Sequence, residues 1–218
     1  MPPVERFVCR FAAEPPQEAL PHGAWAQTLQ AEFLAACLRV DADGRDIGEA
    51  EEPRWYPDRS WNGRTYVPVT ARTTTGLELF GYVAFVPGDP DGDAEPSDFV
   101  SAADFTEETA ERNPDWQIDL CEEVVGRWRG EGGRSAEMTL VWGVPLIAGA
   151  RVATAELAGL AVDQCALVDD RFTLIAPDAY RGDYLDVKLW DADGRELASE
   201  SLYVDDEDED EDEDADEE

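Results

Sequence analysis

Short apolar segments, each ended by turn-forming residues, recur along most of this chain and limit the folds that it can adopt. From residue 64 onward they include "RTYVPVTA", "GLELFGYVAFV", "FVSAADF", "AEMTLVWG", "RFTLIAPD", "DYLDVKLW" and "RELASESLYV". Many of them alternate apolar and polar side chains, which is the period of a β-strand, and Gly, Pro and Asp separate them. The pattern therefore predicts a mainly β protein.

The spacing of these segments favours a particular β architecture. Turn signals every 8 to 12 residues or so are typical of β-sandwiches of the immunoglobulin or fibronectin type. In "WQIDLCEEVVGRWRG" the even positions Trp116, Ile118, Leu120, Val124 and Trp128 are apolar. The glycines that follow favour a hairpin into "AEMTLVWG". We expect a sandwich-like arrangement, although architecture alone does not determine function.

The polar segment "EETAERNP" predicts a domain boundary, because it is poor in apolar residues and ends in a proline. We expect a β-rich domain over residues 1–108, a sandwich-like domain over 109–204 and a tail over 205–218. Segment 64–92 also aligns with segment 170–194, with Gly76 opposite Gly182, and each segment ends in an Asp-x-Asp-Gly turn. This match indicates two related β-domains.

Three segments of the chain, two near its N-terminus and one at residues 150–162, are less regular. "VERFVCRF" at residues 4–11 predicts a first strand, and "ARVATAELAGLAV" fits either a helix or a strand. Trp25, Leu29, Phe33 and Cys37 recur every four positions, which indicates one face of a helix near residues 24–38. The end of that segment runs into "DADGR", where we expect a strand, a hairpin turn and a returning strand, "DIGEAEE".

An acidic tail closes the chain. Of its 14 residues 13 are acidic: Asp205, Asp206, Glu207, Asp208, Glu209, Asp210, Glu211, Asp212, Glu213, Asp214, Asp216, Glu217 and Glu218. Such a segment cannot bury apolar surface and repels itself, so we expect it to be disordered. It could engage a basic surface on a partner, or it could act only as a solubilising tail.

The rest of the chain is acidic as well. The whole protein has 51 acidic and 17 basic residues and a formal net charge of −34, which disfavours direct binding to nucleic acid. The excess also fits an acidic structural protein of a salt-adapted cell. No apolar run reaches the roughly 18 residues that a membrane span requires. Without a visible signal peptide, we expect a cytoplasmic location and no membrane association.

The sequence does not support a metal or cofactor site. "DADGR" occurs at 41–45 and at 191–195, but EF-hand spacing would place Arg39 and Leu189 at the first ligand position. Tight turns explain both copies better. The least unlikely position for a metal ion is at Asp89, Asp91 and Asp93, which are weak candidates. Four scattered cysteines and one histidine, His22, do not form a zinc site, and we expect no cofactor.

The best candidate binding site outside the tail is the segment "PRWYPDRSWNGRTY". Exposed aromatic side chains with arginines are favoured in protein–protein hot spots and can stack on sugars. The alternative is that these rings fill the core, with Asp58 and Arg59 as an ion-paired corner. The candidate residues are Trp55, Tyr56, Arg59, Trp61, Arg64 and Tyr66.

Motifs of catalysis are missing from the sequence: we find no G-x-S-x-G and no phosphate-binding glycine loop. We therefore expect a non-enzymatic protein-binding or adaptor protein whose acidic tail engages a basic partner. The main alternative is a carbohydrate-binding or carbohydrate-active β-sandwich that uses Trp55 and Trp61.

Overall fold

Antiparallel β-structure dominates the computed structural model, which describes residues 20–21, 23–88, 95–129, 135–180 and 182–202. Its elements are α1 (Gly23–Cys37), β1 (Arg54–Trp55), β2 (Arg59–Trp61), β3 (Arg64–Arg72), β4 (Glu78–Val86), β5 (Ser97–Thr106), β6 (Ile118–Arg129), β7 (Ser135–Pro145), β8 (Val152–Leu157), β9 (Leu160–Ala166), β10 (Phe172–Asp178), β11 (Leu185–Trp190) and β12 (Glu196–Ser201). The prediction of a mainly β protein is confirmed. "VERFVCRF" lies outside the described residues.

The strands form three antiparallel sheets. The first sheet has the order β1-β3-β4-β5, and β2 also pairs with β3. The central sheet has the order β10-β7-β6, and the third sheet has the order β12-β11-β8-β9. All strands of the first sheet precede residue 107, and all strands of the other two follow it.

Three apolar clusters stack the helix and the sheets into four layers. Leu29 and Phe33 of α1 pack on Val67, Val69 and Val83 of the first sheet. The opposite face of the first sheet packs on the central sheet through Tyr56, Tyr66, Ala84, Met138, Leu140, Trp142 and Ile175. The other face of the central sheet packs on the third sheet through Val141, Phe172, Leu174, Val187 and Leu189.

The middle position of the central sheet explains its sequence. Both of its faces are covered, so β7 and β10 need apolar side chains at successive positions and not only at alternate ones. Residues 138–143 are all buried, and so are residues 172–177. The predicted hairpin between β6 and β7 is confirmed.

The helix prediction is confirmed, but the strands predicted on either side of the first "DADGR" are wrong. The amides of Leu38 and Arg39 donate to carbonyl groups of the last helical turn, so the chain continues as turns after Cys37. In "DIGEAEE" only Ala50 forms a β-bridge, to Thr73. The carbonyl of Ile47 accepts from the Thr75 hydroxyl, which ties this loop to the β3–β4 turn.

The two copies of "DADGR" therefore have different structures. In the first, Asp43 and Gly44 both have positive φ angles, 49° and 79°, in a loop that follows the helix. The second is the hairpin turn between β11 and β12, as predicted. There Oδ1 of Asp191 accepts hydrogen bonds from the amides of Asp193 (2.8 Å) and Arg195 (2.9 Å), and Gly194 has a φ of 75°.

The aligned segments 64–92 and 170–194 differ in their pairing. β3 and β4 form a hairpin with each other, whereas β10 belongs to the central sheet and β11 to the third sheet. The alignment implies one hairpin in each segment. Segment 64–92 forms this hairpin, but the two strands of segment 170–194 join different sheets. Pro68 lies in β3, which has paired strands on both sides, and its carbonyl accepts a hydrogen bond from the Tyr56 amide between β1 and β2.

Candidate functional site at the open edge of the central sheet

The predicted aromatic segment divides between the two faces of the first sheet. Trp55 faces α1, where its ring lies 6.4 Å from that of Phe33. Trp61 packs in the cluster between the first and central sheets, and a Cβ added to Gly126 would lie 2.7 Å from its ring. The two tryptophans therefore do not form one stacking surface, and this arrangement does not favour a shared sugar site.

Three of the other four candidate residues in that segment are buried. Tyr56 and Tyr66 are both core residues. The hydroxyl groups of Tyr56 and Thr70 lie 3.4 Å apart, and burial raises the pKa of Tyr56 to about 12. Arg64 is partly exposed and pairs with Asp98 of β5. The structure thus places these side chains mainly in packing roles.

Arg59 is a buried charged residue of the segment. Its guanidinium pairs with Asp163 of β9. Asp58 is not the residue that neutralises it there. The Asp163 carboxylate also accepts hydrogen bonds from the amides of Ile175 (Oδ2, 2.8 Å) and Gln164 (Oδ1, 2.8 Å). Burial raises the pKa of Asp163, while Arg59 and these amides oppose that shift.

This ion pair closes one side of the stack formed by the central and third sheets. β10 is an edge strand, and unpaired edge amides invite pairing with other chains. Here the outward amide of Ile175 donates to Asp163, and β2 lies against β10. We call this side the sealed seam.

The opposite side, where the edge strands β6 and β12 meet, is open. Each of these strands pairs with a single neighbour within the described part of the chain. Between them lies a groove of about 220 Å³, lined by Trp116, Ile118, Leu120, Cys121, Glu122, Glu200, Ser201 and Leu202. We call this groove the open seam.

Carboxylates surround the open seam. The lining includes Glu122 and Glu200 but no lysine or arginine among the residues that the structure describes. Burial, together with Asp178 and Glu123, raises the pKa of Glu122 to about 7. Burial and then Asp104 of β5 raise the pKa of Glu123. Cationic groups would relieve both effects, because an opposite charge favours the ionised carboxylate.

The described residues do not contain a group of three or more metal-ligating side chains. Asp89, Asp91, Asp93, His22 and residues 205–218 lie outside the description. Cys37, Cys121 and Cys165 are free thiols. Burial raises the pKa of Cys37 to about 11 and that of Cys121 well above its usual range, which makes both poor nucleophiles.

Comparison with known proteins found no family model, no curated protein and no solved structure that matches this chain. Among the described residues, no helix is both long and apolar enough to cross a membrane.

Proposed function

We propose that this chain is a non-enzymatic protein-binding module that takes a basic partner at the open seam, with the acidic tail as an electrostatic guide. The observation that carries the proposal is the contrast between the two seams. One is closed by a buried ion pair and a covering strand, and the other presents apolar side chains beside carboxylates.

Exposed apolar side chains at the open seam support this assignment. Trp116, 36% exposed, lies at its mouth beside the partly buried Leu120 and Leu202. Tryptophan is enriched among residues that dominate binding energy, because a large ring can bury much area with few rotatable bonds. Contact specificity is therefore assigned to Trp116 and its neighbours.

The position of the tail supports a steering role. The described chain ends at Leu202, which lines the open seam, so residues 205–218 begin three residues from the proposed contact. A run of 13 carboxylates attracts a basic partner over roughly one screening length, about 8 to 10 Å at ordinary ionic strength.

Removing the tail and truncating Trp116 should have different kinetic effects. The partner would first be recovered from native lysate with the full chain, and its binding then followed by surface plasmon resonance at several salt concentrations. Deleting residues 205–218 should slow association and flatten its salt dependence. Trp116→Ala should speed dissociation about tenfold and leave the salt dependence unchanged.

A matched control is Leu160→Ala, which removes a 45% exposed side chain from β9, at the other edge of the third sheet. It should leave both rate constants unchanged. If Trp116→Ala folds normally and binds like the unaltered chain, the open seam is not the contact surface and the proposed function fails.

We also infer that β6 to β12 form an immunoglobulin-like sandwich. Its support is the number of strands, three in the central sheet and four in the third, with one shared apolar cluster between them. The first sheet and α1 then form two additional layers on the outer face of the central sheet. An experimental structure in which β6 and β12 lie in one sheet would contradict this inference.

A further inference from the structure

The central sheet is one strand narrower than the sheets on either side of it. It has three strands, whereas the third sheet has four and the first sheet has four positions across its width. At one side β2 contacts β10, and toward the other side β4 contacts β6. β5 follows β4 in the first sheet and therefore extends beyond the last strand of the central sheet.

Within the described ranges, the face of β5 that points toward the central sheet is correspondingly exposed at Val100 and Asp104. Phe99 and Phe105 point toward α1, so Val100 and Asp104 point the other way, on the face shared with Phe80 of β4. Val100 is 48% exposed and Asp104 is also exposed. The strand position beside β6 therefore has this overhang on one side and the open seam, with β12, on the other.

The side chains around this position differ between the two faces of β6. Toward the third sheet, Ile118 and Leu120 present apolar side chains, followed along β6 by Glu122. Toward the overhang, Asp104 of β5 adds to the effect of burial in raising the pKa of Glu123 of β6. An incoming segment therefore meets mainly apolar contacts on one face, with Glu122 at their end, and two carboxylates on the other.

We propose that an extended segment of the partner adds to the central sheet as a fourth strand beside β6, with apolar residues and Lys or Arg in alternation. Successive side chains of a strand point to opposite faces, so the apolar set would lie on Ile118 and Leu120. The basic set would lie beside Glu123 and Asp104. This mode is known as strand addition to an exposed sheet edge. It rests on the proposed function.

The test uses a short peptide of alternating lysine and valine, blocked at both ends, and the full chain in calorimetry at low salt. In an added strand, the amides of alternate residues point toward β6. Two peptides are therefore compared, one N-methylated at the valines and one at the lysines. One of them should lose affinity about tenfold or more, and the other should bind like the parent peptide.

Variants of the chain provide a second readout. Glu123→Gln and Asp104→Asn should each weaken the binding of the parent peptide several-fold, because each removes a carboxylate from the face that the lysine side chains would meet. Asp170→Asn is the matched control, since Asp170 is exposed in the loop before β10, toward the sealed seam. It should leave the affinity unchanged.

Three results would overturn the inference. The first is equal binding of both N-methylated peptides, which indicates charge attraction without strand addition. The second is binding of the peptide only after residues 1–19 are removed, which indicates that the chain's own N-terminal segment occupies the strand position beside β6. The third is a dimer that the peptide dissociates, which assigns it to a second copy. In each case an effect of Trp116→Ala on the lysate partner would still support the proposed function.

Discussion

At the scale of single residues, one ion pair connects all three sheets. Arg59 belongs to β2 of the first sheet, and Asp163 belongs to β9 of the third. Asp163 also accepts from the amide of Ile175 in β10 of the central sheet. Arg59 and Asp163 are the charged residues that are buried within the described ranges. A buried charge without its partner is costly, so each of these two depends on the other.

Asp163→Ala should therefore lower the free energy of unfolding by about 3 to 5 kcal/mol. The substitution leaves the Arg59 guanidinium buried without its carboxylate and removes the acceptor of the Ile175 amide. Denaturant unfolding followed by tryptophan fluorescence would measure the change.

The control for this prediction is Arg72→Ala, which breaks the exposed ion pair with Glu111 and should cost less than about 1 kcal/mol. Replacing Arg59 and Asp163 together by Met and Leu should recover part of the loss, because no unpaired charge then remains. A loss for Asp163→Ala no larger than that of the control would contradict the structural role of the pair.

At the scale of elements, the connections between neighbouring strands depend on residues with positive φ. β8 and β9 form a hairpin whose two turn residues, Ala158 and Gly159, have φ angles of 54° and 74°. Two positive values in succession are typical of the primed turns that match the twist of paired strands. Alanine is unfavourable there, because its Cβ crowds the following carbonyl oxygen.

Ala158→Asn should raise the free energy of unfolding by about 0.5 to 1 kcal/mol, since asparagine adopts this conformation more readily than alanine. Gly159→Ala should have the opposite sign. The control is Ala148→Asn, at an exposed position whose φ is not positive; it should change stability by less than about 0.5 kcal/mol. Thermal unfolding of the three variants would measure these changes in stability. A loss of stability in Ala158→Asn would argue against this turn.

At the scale of the whole molecule, excess negative charge opposes folding. The net charge is −34, and several carboxylates between the sheets have raised pKa values: Glu78, Asp119, Glu122 and Glu123. For each of them burial is the largest cause. A carboxyl whose pKa is raised on folding binds its proton more tightly in the folded state, so its ionisation destabilises that state.

Stability should therefore fall as the pH rises from about 4.5, the usual pKa of Glu122, through about 7, its pKa in the fold. Asp178, Glu123 and Glu200 are the neighbouring charged groups, and all three are acidic. Glu122→Gln should flatten this part of the profile and stabilise the chain at pH 8 by about 1 kcal/mol. Solvent screening keeps the gain below what the full shift implies.

Chemical unfolding at a series of pH values would measure the profile, with Asp170→Asn as an exposed acidic control. An unchanged slope between pH 5 and 8 in the Glu122→Gln protein would show that this carboxyl is not the group responsible.

The amino-acid sequence alone determined the local elements. The four-residue recurrence of Trp25, Leu29, Phe33 and Cys37 located the helix, and apolar alternation located β3, β4, β6 and β11. These signals are local, because a helix or strand repeats its buried face within a few residues. The even positions Trp116, Ile118 and Leu120 were also recognised as one face, and they line the open seam.

Only the tertiary structure decided how these elements combine. Arg59 finds its partner 104 residues away, in Asp163, and the sequence pattern suggested its neighbour Asp58 instead. β10 and β11 are close in sequence, but they join different sheets. The physical reason is that apolar alternation indicates only which face of a strand is buried. Which strand lies beside it depends instead on the hydrogen bonds that form along its edges. Every strand presents the same backbone groups at its edges, so pairing, and with it the open side of the central sheet, follows from the packing of the whole chain.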